Sequence, residues 1–119
     1  MKMKTQTLAK TTIVAALITG ALCWSAAADD ATTQLWGMNC AACHGKDGTG
    51  QTMMGRRLQM KDLTDPKVQA SFTDAKAMKI IKEGVTDNGT EKMKAFGDKL
   101  SDDQIKALLA QVRSFKPAK

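Results

Sequence analysis

The 119-residue chain has one histidine, two prolines, no tyrosine and few aromatics of any kind. With His44 as its only histidine, it lacks the second Cys/His cluster that a zinc site would need. No alternating β-branched run precedes Cys40, which removes the strand–helix–strand setting of a thioredoxin-like dithiol. Past residue 28 the aromatics are Trp36, Phe72, Phe96 and Phe115, so a core of side chains alone would be marginal at this size. The apolar run at residues 13–24 falls short of the roughly 20 residues a bilayer span requires. A formal charge of +6 is a small excess, too weak to argue for nucleic acid. Gly48-Thr49-Gly50 has no strand before it, which a phosphate cradle needs.

The N-terminus reads as a targeting segment. Lys2, Lys4 and Lys10 form a basic start, residues 13–24 are rich in apolar side chains, and Ala26-Ala27-Ala28 supplies a small-residue cleavage pattern. Residues 1–28 are therefore expected to be a secretory signal cleaved before Asp29, leaving a single domain over 29–119 in the periplasm, without stable membrane insertion. Leu22, where a lipoprotein signal has a small residue before its cysteine, argues against a lipid anchor at Cys23. Cleavage also resolves the odd cysteine count, because Cys23 leaves with the signal and no disulfide is expected. The remaining segment has 15 basic and 12 acidic residues, a net +3. Such a surface favours acidic partner proteins by steering that salt weakens.

The chemistry is concentrated in Cys40-Ala41-Ala42-Cys43-His44-Gly45. Two cysteines three apart share a helix face, so their sulfurs can add to the two vinyl groups of one haem while His44 offers its imidazole to the iron. That is the pattern of covalent c-type haem attachment. A buried macrocycle would also supply the apolar surface that the aromatics do not, so the chain without haem is expected to be largely unfolded.

Taken in order, residues 31–43 read as a first helix, with Asp29, Asp30 and Thr32 as caps or first-turn residues. Trp36, four before Cys40, lies on the attachment face and is expected to pack there. Four glycines between residues 45 and 55 predict a turn-rich loop, followed by Arg56 and Arg57, which could pair with a haem propionate or a carbonyl. Asp65-Pro66 starts a short helix over 67–70, and Ser71-Phe72-Thr73-Asp74 opens another over 75–83, stopped by Gly84. Met78 and Ile81 face inward on it. Residues 86–96 read as a loop with a turn at Asp87-Asn88-Gly89. The last helix is capped by Ser101 with Gln104 completing a capping box, and Leu100 staples to Ile105. Ile105, Leu108, Leu109 and Val112 make one buried face, and Lys116-Pro117 ends it.

A six-coordinate iron needs a second donor, and thioethers are the available ones. Met38 shares the attachment helix and cannot reach round the ring, and Met78 is needed by a core face. Met53, Met54, Met60 and Met93 lie in expected loops free to reach the opposite haem face.

The attachment motif, followed by Met93-Lys94-Ala95-Phe96-Gly97 and then Leu100-Ser101-Asp102-Asp103-Gln104-Ile105, resembles the small monohaem class I cytochromes c over nearly the whole of residues 29–119. The resemblance implies an all-α cytochrome c-type fold, with three main helices plus short helices and loops around one covalently bound haem c. It also implies that Met93 is the distal iron ligand, with Met60 as the alternative, and that the chain meets the cytochrome c maturation machinery. Three positions depart from the family pattern. Lys94 stands where proline commonly follows the ligand. Gly55-Arg56-Arg57-Leu58 replaces a Gly-Pro-x-Leu whose proline carbonyl holds the histidine, leaving the Arg56 carbonyl to do so. Gln111 stands where the last helix often packs an aromatic against the first, with Trp36 as a compensating ring.

Both axial positions filled by protein would leave no substrate site, so the expected function is a soluble, monomeric one-electron carrier and not an enzyme. Lys46, Lys92 and Lys94 are candidates to ring an exposed haem edge and meet acidic redox partners. Two other functions fit the same residues: a haem c subunit of an exported oxidoreductase complex, or a gas-binding protein with an open sixth site.

Overall fold

The structure, a computed structural model, describes residues 24–115. The chain runs α1 (Trp24–Asn39), α2 (Ala41–His44), α3 (Met53–Leu58), α4 (Pro66–Ala70), α5 (Asp74–Glu83), β1 (Val85–Asp87), β2 (Thr90–Met93) and α6 (Asp102–Ser114). The three long helices α1, α5 and α6 pack on one another through α6, and three short helices and one hairpin complete the molecule, the all-α cytochrome c-type arrangement expected from sequence. Among the described residues no helix is long and apolar enough to cross a membrane. Residues 1–23, most of the expected signal, and Lys116-Pro117 lie outside the described residues.

The long helix expected over residues 31–43 begins earlier and divides. α1 starts at Trp24, so Asp29, Asp30 and Thr32 sit within the helix and not at its cap. Ala26, Ala27 and Ala28, good helix formers, carry it backwards. It breaks at Cys40, whose φ of −121° departs from helical geometry. The Asn39 side chain donates to the Leu35 carbonyl at 2.9 Å, a back-bond of the kind that bends a helix end. α2 then carries Cys43 and His44.

The short helices follow their caps. Asp65 accepts from the Lys67 amide with Pro66 in the first position of α4, and Thr73 accepts from the Lys76 amide at the start of α5. Gly84 closes α5 with φ +75°. At α6 the Ser101 hydroxyl accepts from the Gln104 amide while the Gln104 side chain accepts from the Ser101 amide, the full capping box. Leu100 and Ile105 join Trp36, Phe96, Leu108 and Val112 in one core cluster, with Met78 and Ile81 packed against it.

Two segments differ from the sequence reading. Met53 and Met54 open α3, capped by Thr52, and do not lie in a loop. Residues 86–96 contain a two-stranded antiparallel hairpin, turned by Asn88 at φ 48° and Gly89 at φ 74°. Paired positive φ values match the right-handed strand twist, the reason Asn-Gly is favoured in two-residue hairpins.

Arg113 fastens α6 to the α4–α5 link. Its guanidinium donates to the Asp74 carboxylate at 2.8 Å, to the Gln69 carbonyl at 2.6 Å and to the Phe72 carbonyl at 2.9 Å. It also lies 4.3 Å above the Phe72 ring. Gln69 in turn donates to the Leu63 and Val112 carbonyls.

Candidate functional site

The elements enclose a cavity of about 760 Å³, within the range of buried small-molecule and cofactor sites. Val68, Phe72, Ile81, Phe96, Leu100 and Leu108 are among its walls, and Trp36, Cys40, His44, Met60 and Met93 also line it. A second space of about 330 Å³ shares Cys40, His44, Met60 and Met93 and adds Cys43, Met38 and Met54. The structure thus brings Cys40, Cys43, His44 and Met93 together around one apolar space.

The attachment turn is fixed by bonds from the glycine loop. The Gly50 amide donates to the His44 carbonyl at 2.8 Å, and the Thr52 hydroxyl donates to the Ala42 and Cys43 carbonyls at 2.8 and 3.0 Å while capping α3. Gly55 packs so closely on the Cys43 and Gly50 carbonyls that any side chain there would occupy their space. Asp47 accepts from the amide and hydroxyl of Thr49, bonds that hold its carboxyl below the usual carboxylate range.

Trp36 lies where the sequence places it. It is 4% exposed, its ring centroid is 5.9 Å from that of His44 and 5.0 Å from that of Phe115, and its Nε1–H donates to the Gly45 carbonyl at 2.9 Å. The aromatic contact between the first and last helices therefore involves Phe115, just past α6. Gln111 plays no such part.

Cys40 and Cys43 are free thiols in this structure. Burial first, and then the neighbouring Cys43, push the Cys40 thiol up to about 11. Burial lowers the His44 pKa, which favours the neutral imidazole that metals bind. Its Nδ1 is buried without a hydrogen-bond partner. The Arg56 carbonyl, the expected acceptor, instead takes the Gln59 amide at 3.3 Å where α3 ends, and the Gly55 carbonyl takes the Met60 amide at 2.8 Å. A buried polar atom left without a partner costs about 1–3 kcal/mol.

The hairpin carries Met93, which also lines the cavity. Thr86 pairs with Glu91 and Val85 with Met93, so Lys92 is the extra residue of a β-bulge. Consecutive strand residues normally face opposite ways, yet Lys92 and Met93 both line both spaces. Past the strand, the Phe96 amide donates to the Ile81 carbonyl at 2.9 Å and the Gly97 amide to the Lys82 carbonyl at 3.1 Å. Those bonds tie the Met93 segment to α5 and restrain it without a proline at Lys94. Met60 lines the same spaces, so placement alone does not separate it from Met93.

Lys46 and Lys94 are exposed, whereas Lys92 is half-buried in the cavity wall. Arg56 and Arg57 are exposed. Among the described residues no cluster of three His, Cys, Asp or Glu side chains could hold a metal ion by itself.

The residues fit a covalent haem. Cys40 lines the larger apolar space, both unpaired thiols line the second, and the His44 imidazole borders both.

A family model described as "Cytochrome C oxidase, cbb3-type, subunit III" matches residues 27–110. Among solved structures, "KustC0563 c-type cytochrome" is similar at 34% sequence identity and a TM-score of 0.62, covering 71% of this chain and 96% of that chain. A tyrosine-to-phenylalanine mutant of Kustc0563 is similar at the same identity and TM-score, covering 71% of this chain and 98% of that one. No curated protein matches. With the attachment motif at one cavity and these matches over most of its length, this chain belongs to the monohaem class I cytochromes c, a family with covalently bound haem c.

Proposed function

We propose that the chain is an exported, soluble one-electron carrier, with haem c bonded to Cys40 and Cys43 and its iron held by His44 and Met93. The observation that carries this reading is the meeting of Cys40, His44 and Met93 on a single apolar cavity. The c-type cytochrome family supports haem-based electron transfer at the general level.

A haem bound here supplies one reversible electron at its iron. The protein's part is to hold and shield it. Cys40 and Cys43 keep the cofactor from dissociating, and His44 presents a neutral nitrogen. Met93 closes the other side with a thioether, which favours the ferrous state relative to two imidazoles. The walls around Phe72, Ile81 and Leu108 exclude water from the apolar face. Lys46 and Lys94 offer exposed positive charge for acidic redox partners, a steering effect that salt reduces. The signal at residues 1–28 directs the chain to the periplasm, with residues 29–119 as the working domain.

A sulfur-to-iron charge-transfer band in the ferric spectrum tests the ligand set. It is expected in wild type and in Met60→Ala, and expected to vanish in Met93→Ala. Survival of the band in Met93→Ala contradicts the assignment. A ferric wild type with no such band favours the open-site, gas-binding alternative.

The description of the matching family model favours a second reading, in which the chain is a haem subunit handing electrons within an oxidase complex. The structural neighbour, 96% of whose chain is covered, is called simply a c-type cytochrome, a description that fits the carrier. Sizing of the native protein separates them: one sharp monomeric species supports the carrier, and co-purifying subunits support the complex.

A further inference from the structure

The His44 imidazole is held differently from what its sequence context leads one to expect. A metal-binding imidazole ordinarily donates its second N–H to an acceptor, which sets the ring plane and strengthens the ring as a donor. Here Nδ1 is buried with no acceptor. The Arg56 carbonyl, which the family pattern would offer it, accepts from the Gln59 amide at the end of α3. Something else must fix the ring plane.

We propose that Trp36 positions the His44 imidazole in place of the hydrogen bond that Nδ1 lacks. This rests on the reading that His44 binds the haem iron. The indole ring lies 5.9 Å from the imidazole, centroid to centroid, tilted by 40°. Its own orientation is locked. The Nε1–H donates to the Gly45 carbonyl, the peptide directly after His44, at 2.9 Å, and Phe115 supports the indole at 5.0 Å. The Trp36 carbonyl also accepts from the Cys40 amide at 2.9 Å, so one residue grips the attachment turn at both ends. An indole pinned at its nitrogen presents a fixed face to the imidazole. A phenyl ring in its place would keep apolar contact but lose the pin. Trp36 is thus a positioning residue, acting through His44.

Two measurements on the holoprotein test this, and the single histidine makes the signal unambiguous. In the ferrous wild type with nitrogen-labelled histidine, the ring N–H proton is expected without the downfield displacement of a hydrogen-bonded one. A displaced resonance overturns the proposal. In the ferric state the spread of the haem methyl resonances follows both axial ligands, so with the Met93 charge-transfer band unchanged it reports the imidazole plane. It is expected to change in Trp36→Phe and to stay at wild type in Arg113→Ala, which loosens a distant wall and controls for lost stability. An unchanged spread in Trp36→Phe, or an equal change in Arg113→Ala, overturns it. If Trp36→Phe does not accumulate, Trp36→Tyr carries the same expectation. A chain without pigment, or with pigment not ligated by His44, sinks the reading of the site itself. A pigmented, His44-ligated chain with an unmoved spread sinks this inference alone.

Discussion

On the His44 side of the cavity most restraints come from within about a dozen residues in sequence, with Phe115 behind Trp36 the exception, whereas the Met93 side is assembled from segments that meet only when the chain folds. Gly50 and Thr52 bond directly back onto the attachment turn, and Gly55 packs against it. Met93 depends on a hairpin and on bonds from Phe96 and Gly97 to the end of α5, and the separate Phe72 wall is fastened by Arg113 across 41 residues of sequence. The contrast suits the chemistry. A covalently attached side needs a preformed local turn, while the side that closes over the cofactor can form last and be tuned separately.

The largest effect that would separate the two sides comes from removing the attachment itself. The double change Cys40→Ser with Cys43→Ser is expected to abolish covalent pigment and most helical circular dichroism. Without haem the apolar walls of a cavity of about 760 Å³ have nothing to pack on, and a domain of this size has little other core to hold it folded. A native-like circular dichroism spectrum without haem would contradict this.

Next in size is Gly84→Ala. Its φ of +75° disfavours a side chain, and a Cβ there would meet the Met93 carbonyl at 2.6 Å. Strain of this kind costs about 1–3 kcal/mol. It is expected to lower the denaturation midpoint and to weaken the sulfur-to-iron band while pigment stays attached. An intact band would show that the hairpin does not control Met93.

Arg113→Ala removes bonds to Asp74, Gln69 and Phe72 and the contact with the Phe72 ring. A loss of about 1–3 kcal/mol is expected from hydrogen bonds to a charged group, with both ligand signatures unchanged. A shift in either signature would mean that the two sides are coupled through this wall.

The smallest effect concerns acid. A hydrogen bond and charge from Lys82, at 2.8 Å, hold the Asp102 carboxyl below its ordinary value of 3.8. A carboxyl depressed in the folded state contributes stability above the unfolded value, and that contribution fades as pH falls through the folded one. Asp102→Asn should slightly flatten the acid limb of stability against pH below about 4. An unchanged limb would show the pair to be fully screened.

The local half of this molecule was readable from sequence, and the assembled half was not. The attachment motif, the caps at Asp65, Thr73 and Ser101, and the stripe of α6 are short-range patterns with their own physics. Trp36 was legible too, by its spacing from Cys40. The hairpin was seen only as a turn, although Asn88-Gly89 was signal enough for paired strands. Strands of three and four residues are too short to show alternation. Arg113 is singled out by no local pattern, because its partners lie on elements whose approach no such pattern encodes. The missing acceptor at Nδ1 is not legible either, because it depends on how α3 and its Gln59 cap sit against the attachment turn.

The central claim, that a haem bonded to Cys40 and Cys43 fills this cavity, is tested most directly by denaturing electrophoresis of the exported protein stained for haem peroxidase activity. The account predicts that pigment migrates with the unfolded wild-type chain and is lost from the double-serine variant. A colourless wild-type band would contradict it.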